Sequence, residues 1–380
     1  MAMGVRAMLC VLITVLAACS ADRETPVGSE LIDDILGSEP GIVSVDTLDI
    51  TSDVVFTYTT LIDNSTRVYL GRDSLYEHAV VLRPDFSTAG VDTARTVVKA
   101  EVRIVFKDDG DLLDDDLSVI FYELGTEYSE GDSVATLDTL GVIVDPTNGA
   151  SLRQMTQATA RYEVPPALAQ AWIRGDSASN GISIVYQGIG EQIMRFASRS
   201  ETVGTMQFIV NFVSGFQTEY PIGHDGTFTR ERTTTPNHVV SDGVVRRLFV
   251  QTDLSQISDS SAIHNARLTL HVVPGSIVGV SRSLILYVPD STDPLSESFL
   301  SGVDVTSVDA SDDTEVLDFR VTLTLLGMLR GLVDDNGFVV RYASENTELR
   351  RVEFYTSAAA VDSLRPRIFV TSSTPATFDP

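Results

Sequence analysis

Residues 171–186, AWIRGDSASNGISIVY, and residues 327–342, GMLRGLVDDNGFVVRY, are one segment written twice at an offset of 156. Arg174/Arg330, Gly175/Gly331, Asn180/Asn336, Gly181/Gly337 and Tyr186/Tyr342 are identical, and Trp172/Met328, Ile173/Leu329 and Ile184/Val340 stay apolar. Each copy reads as a helix end, an Asn-Gly turn and a β-strand. Gly181 and Gly337 are expected to supply a positive φ between helix and strand, which is turn chemistry rather than a functional signal.

Working outward, further landmarks recur in the same order: Asp85-Phe86-Ser87 with Asp253-Leu254-Ser255, Ala100 with Ala266, and Ser118–Tyr122 with Ser283–Tyr287. Each half closes with Phe196/Tyr355, Ser198/Ser357 and a last apolar strand at 208–212 or 368–370. Between the landmarks lie short runs of β-branched and aromatic residues such as Val54–Tyr58, Ala79–Leu82, Val102–Phe106 and Ser118–Tyr122, separated by Asp, Gly and Ser clusters. Several alternate apolar with polar residues, as half-buried antiparallel strands do. The exception follows Pro165-Pro166, where prolines suit a first helical turn and Leu168, Ala171 and Trp172 share one face. The expected fold is all-β: two tandem antiparallel β-sandwich domains, jelly-roll-like, each with one short helix.

The N-terminus carries a different pattern. Residues 1–18 hold one positive charge at Arg6, an apolar run from Ala7 to Val15, and small residues before Cys19, which is the layout of a secretory signal. That run is shorter than the roughly 20 apolar residues of a membrane span. The chain is thus read as signal peptide 1–18, tether 19–50 rich in Ser, Asp, Glu, Gly and Pro, domain 51–214, domain 215–373 and tail 374–380. The two cysteines, Cys10 and Cys19, both fall in or at the end of the signal, so no disulfide or thiol site is expected in the mature domains. The signal holds one of the 27 basic and none of the 53 acidic residues, which leaves the mature chain at a formal −27. Such a charge argues against nucleic acid as a partner and is compatible with divalent cations.

These residues carry two resemblances. Leu16-Ala17-Ala18-Cys19 resembles the lipobox of bacterial lipoproteins, which implies lipidation of Cys19 and a membrane-anchored, exported protein; VGSELIDD at 27–34 followed by VDTLDITSDV at 45–54 resembles the start of large outer-membrane-associated lipoproteins. Along the body, Leu82-Arg83 before Asp85-Phe86-Ser87, KAEVRIVF at 99–106, SVIFYEL at 118–124, WIRG at 172–175, NGISIVY at 180–186, FAS at 196–198 and FYTSAAAVDSLRPRIFV at 354–370 resemble the DNRLRE-type domains of secreted bacterial proteins. That resemblance implies a β-sandwich related to carbohydrate-binding modules. One place departs from it: where such domains often carry Trp-x-Glu, this chain has Tyr128-Ser129-Glu130.

No nucleophile with its base, no GxSxG, HExxH or P-loop occurs, and His78, His224, His238, His264 and His271 are scattered; His264 and His271 are expected on opposite faces of one strand. The reading is therefore non-catalytic. Six aspartates between Asp108 and Asp116, with Asp108, Asp109, Asp111 and Asp114 as the metal candidates, form either a solvated hairpin tip or a calcium loop. Tyr128 and Tyr76 are the candidate glycan-stacking aromatics, while Trp172 is expected in the core. The expected function is a binding or structural envelope module engaging a glycan or an envelope protein. An assembly scaffold is the first alternative, and an unrecognised hydrolase the second.

Overall fold

The computed structural model describes residues 42–59, 61–62, 67–87, 93–105, 119–124, 159–176, 180–188, 190–199, 206–258, 260–279, 283–293, 296–345 and 347–374. They form two antiparallel β-sandwiches, as the patterning requires. Strands in the first half are β1 Ile42–Thr59, β2 Leu61–Ile62, β3 Arg67–Arg72, β4 Tyr76–Pro84, β5 Val97–Val105, β6 Val119–Glu123, β7 Thr159–Val164, β8 Ile182–Tyr186, β9 Gln192–Ala197, β10 Gln207–Phe212 and β11 Gln217–Glu231. The second half adds β12 His238–Ser241, β13 Val245–Thr252, β14 Ala262–His271, β15 Ser283–Pro289, β16 Gly302–Asp309, β17 Val316–Arg320, β18 Phe338–Tyr342, β19 Arg351–Phe354 and β20 Arg367–Thr374. Helices are α1 Pro166–Arg174, α2 Glu297–Leu300 and α3 Thr322–Leu329.

The first sandwich has the strand order β6-β8-β4-β11-β10-β5-β7, with β3 against β4 and β9 against β3. The second has β16-β15-β18-β13-β1-β20-β14-β17, with β12 against β13 and β19 against β12. Apart from β2, which pairs with β11, and β16, which have no counterparts, these are the same topology, with β1 in the second standing where β11 stands in the first. Each of these long strands serves both layers of its sandwich. β11 pairs with β10 over its first half and with β4 over its second, and β1 pairs with β20 and then β13. Each turns from one layer to the other at a bulge, Ile50/Ser52 in β1 and Ile222/His224 in β11.

The chain order makes this equivalence a reciprocal exchange. β1 leads into the first copy but completes the second, and β11 leads into the second copy but completes the first. The bodies are therefore β2–β11 with α1, and β1 with β12–β20, α2 and α3. This corrects the sequence reading at three places: residues 42–50 belong to a strand rather than a tether, 51–59 belong to the second body, and the boundary at 214/215 cuts the β10–β11 hairpin. Sequence pattern cannot assign a lead strand, because both carry the same signature: Ile50/Ile222, Asp53/Asp225, Phe56/Phe228 and Thr57/Thr229 occupy matching positions.

Each body buries its own core. In the first, Val80, Leu82, Val102, Trp172 and Phe208 meet Tyr220 and Ile222 from β11. In the second, Leu248, Val250, Leu268, Met328 and Ile368 meet Leu48 from β1. Trp172 is 4% exposed, in the core as expected. α1 ends at Gly175 with φ 72° and an Asp176 N–H bond to the Ala171 carbonyl, and α3 ends at Gly331 with φ 65° and a Leu332 N–H bond to the Gly327 carbonyl. The Asn-Gly pairs also match. Gly181 and Gly337 have φ of 114° and 76°, while Asn180 Nδ2 donates to the Leu124 carbonyl and Asn336 Nδ2 to the Pro289 carbonyl, both at 3.0 Å.

Candidate functional site

The exchange brings the two bodies together through the start of β4 and the ends of β3, β12 and β19. Leu75 and Tyr76 pack with Val239 and Val244. Gly243 approaches Ile62 so closely that a Cβ there would lie 2.7 Å from Ile62 Cδ1. Around this apolar contact runs a belt of charge: Arg351 Nη1 to Asp73 Oδ2 at 2.9 Å, Arg246 Nη2 to Glu231 Oε2 at 3.1 Å, and Arg230 to Glu77. Tyr69 hydrogen-bonds the Leu349 main chain, and the Arg232 N–H donates to the Leu75 carbonyl at 2.8 Å.

Tyr76 sits at the centre of this junction, which corrects its assignment as a glycan-stacking residue. Its ring is 3% exposed, with the Arg246 and Arg351 guanidinium carbons 5.4 and 5.8 Å from its centroid. Burial, opposed by Arg246, raises its hydroxyl to about 12. A sugar cannot reach a ring that two arginines and the opposite domain already cover. Two residues on, His78 is fully buried with Nδ1 3.0 Å from Thr229 Oγ1, and desolvation pushes it down to about 4. Asp242, also buried, accepts from the Thr347 N–H, the Thr347 hydroxyl and the Glu348 N–H, each at 3.1 Å, and burial raises it to about 6. These polar groups serve the junction.

The other histidines occupy strands and loops. His238 Nε2 lies 2.8 Å from Asp53 Oδ2. His264 falls at a bulge in β14, between Ile263 and Asn265, where it is exposed and 2.8 Å from Ser373 Oγ. The bulge undoes the strict alternation that placed it opposite His271. No group of three or more His, Cys, Asp or Glu that could hold a metal occurs among the described residues. Cys19, Asp108, Asp109, Asp111, Asp114 and Tyr128 lie outside those residues.

What sequence reasoning missed is Phe216. It sits in the β10–β11 turn, 54% exposed, and Arg95 lies 4.6 Å from its ring centroid. Val213 and Val98, 68% and 51% exposed, belong to the same end of the sandwich, where the Val213 N–H donates to the Thr96 carbonyl. Among the side chains described, Phe216 is the exposed phenylalanine, the others being buried or half-buried. An apolar residue directly after Ser214-Gly215, in a tight turn with Gly215 at φ 75°, was the available signal.

No protein-family profile matches the chain, and no curated protein matches it in sequence. Among solved structures, one named BspA_C_WT is 11% identical over 87% of this chain and 90% of its own, with a TM-score of 0.19. Another, named Structure of the Macrobrachium rosenbergii Nodavirus, is 12% identical over 88% and 90%, with a TM-score of 0.12. Scores this low carry no argument about fold or function. No helix among the described residues is long and apolar enough to cross a membrane.

Proposed function

We propose that the protein is an exported lipoprotein, held to a membrane through Cys19, whose two domains work as one non-catalytic structural unit of the cell envelope. The observation that supports this reading is the reciprocal strand exchange closed over a buried junction. Hinging the two bodies apart would expose the Leu75, Tyr76, Val239 and Val244 contact and break the Arg351–Asp73 ion pair, which suits a spacer or assembly platform better than a clamp that opens on a ligand. The 23 residue steps from Cys19 to Ile42 would lead the anchor into the second body and could span at most about 80 Å when extended. Small-angle scattering on the form lacking residues 1–19 tests the rigid unit: one compact envelope agrees, and an ensemble of interdomain angles refutes it. Changing Cys19 to Ala tests the anchor. It should release the chain from the membrane fraction or leave it unprocessed, and normal processing with firm membrane retention would refute it.

A glycan-binding reading is favoured by one observation, the exposed Phe216 ring beside Arg95, since aromatic faces carry sugar stacking. A glycan array comparing the soluble form with its Phe216→Ala variant decides it. Signals lost in the variant support glycan binding at this turn, and an array without signals supports the structural reading alone.

A further inference from the structure

The lead strands β1 and β11 meet the same backbone pairing in the bodies they complete. Both carry a bulge at the same place. Both then present an aspartate that clamps the loop after the last inner strand: Asp53 Oδ2 accepts the Ser357 N–H at 2.6 Å, and Asp225 Oδ2 accepts the Arg199 N–H at 2.8 Å. Phe56/Phe228 and Thr57/Thr229 follow identically. Backbone pairing, bulge and clamp therefore give neither groove a reason to prefer one strand over the other. The core-facing position two residues before the bulge isoleucine does differ, being Leu48 in β1 and Tyr220 in β11, both fully buried.

Their surroundings differ to match. Tyr220 packs edge-on against Phe86, ring centroids 4.9 Å apart, and Phe86 and Trp172 both contact Phe208, at 5.8 and 5.9 Å. At the corresponding places around Leu48 stand Leu254, Ile368 and Met328. Val55 and Thr227 also differ, Val55 packing on the second core and Thr227 Oγ1 accepting the Tyr69 N–H at 2.7 Å, but the larger contrast in side-chain shape lies at Leu48 and Tyr220. We propose that the two lead strands are sorted between two grooves of matching backbone pairing chiefly by this position, the aromatic groove taking Tyr220 and the aliphatic groove Leu48. Leu48 in the aromatic groove would leave a void, and Tyr220 in the aliphatic groove would overpack it; cores resist both.

Disulfide trapping in the full-length chain, with Cys10 and Cys19 changed to Ser, tests the sorting. Val45 lies opposite Thr371 on β20, so a Val45→Cys, Thr371→Cys pair reports β1 in the second body. The matching position of β11, Gln217, lies opposite Asn211, so a Val45→Cys, Asn211→Cys pair reports β1 in the first body. With native Leu48 and Tyr220 we expect the 45–371 bond within one chain and no 45–211 bond. Exchanging the two residues, Leu48→Tyr with Tyr220→Leu, should raise the 45–211 product at least tenfold. Tyr220→Leu alone, a milder change, should give both products, because both strands then present leucine. Retention of the 45–371 bond as the sole product in either background, within one chain or between two copies, would overturn the proposal.

Discussion

Asp53 and Asp225 are the residues through which each lead strand fastens the domain it joins. Asp53 also receives the Ser357 hydroxyl at 2.6 Å and contacts His238 Nε2 at 2.8 Å. Burial pushes its carboxyl up, but the His238 and Ser357 hydrogen bonds outweigh that and hold it at about 2, below the ordinary 3.8. A depressed carboxylate stabilises the fold when ionised. That contribution is therefore present above about pH 4 and is lost as the pH falls towards 2, reaching at most about 2 kcal/mol and less where solvent screens the group. Urea melts from pH 5 to 2 should accordingly show the gap between the native chain and Asp53→Asn closing on acidification. Trp172→Ala should cost about 3–5 kcal/mol in the same melts, the range for a large buried aromatic; a loss below about 1 kcal/mol would place the ring outside the core. Trp172 was legible in the sequence because it shares the apolar face of a short helix with Leu168 and Ala171 and its repeat counterpart is apolar. Tyr76 was not, because its burial comes from Val239, Val244, Arg246 and Arg351, and local pattern carries no information about contacts made across more than 160 residues.

The elements repeat down to single hydrogen bonds. Asp85 Oδ1 accepts the Ser87 N–H at 2.8 Å and Asp253 Oδ1 the Ser255 N–H at 2.9 Å, so the chain turns out of β4 and of β13 in the same way. One detail moves: Phe196 pairs with Val68 and Phe354 with His238, which makes Phe354, one residue before Tyr355, the counterpart of Phe196. Gly181 and Gly337 hold strained φ with backbone overhead, a Cβ falling 2.7 Å from the Leu82 carbonyl oxygen and 2.8 Å from that of Val250. Alanine at either should cost more than about 1 kcal/mol. Gly175→Ala, at a similar φ but with nothing within 4 Å, should cost less than either, and chemical denaturation of the three variants makes the comparison. The helix, the Asn-Gly turn and the strands were legible because their determinants lie within a few residues of each other. The bulges in β1, β11 and β14 were not, since a bulge is set by the partner strand.

At the scale of the whole molecule, the two copies were visible in sequence and their closure was not. A repeat shows which segments resemble each other, while the partner of a lead strand is fixed by where the chain crosses between bodies, here between β1 and β2 and between β11 and β12. Crossing twice gives each body a strand from outside its own copy and leaves a junction in which the apolar contact and the Arg351–Asp73 ion pair are largely buried. A domain assembled this way depends on sequence far from it: β14, β17 and β20 are closed by residues 42–49. Removing residues 1–59 and mapping amide hydrogen exchange is the most direct test. The exchange topology predicts lost protection in β13 and β20 while β4 and β10, completed by β11, stay protected; loss in β4 and β10 with β13 and β20 intact would contradict it.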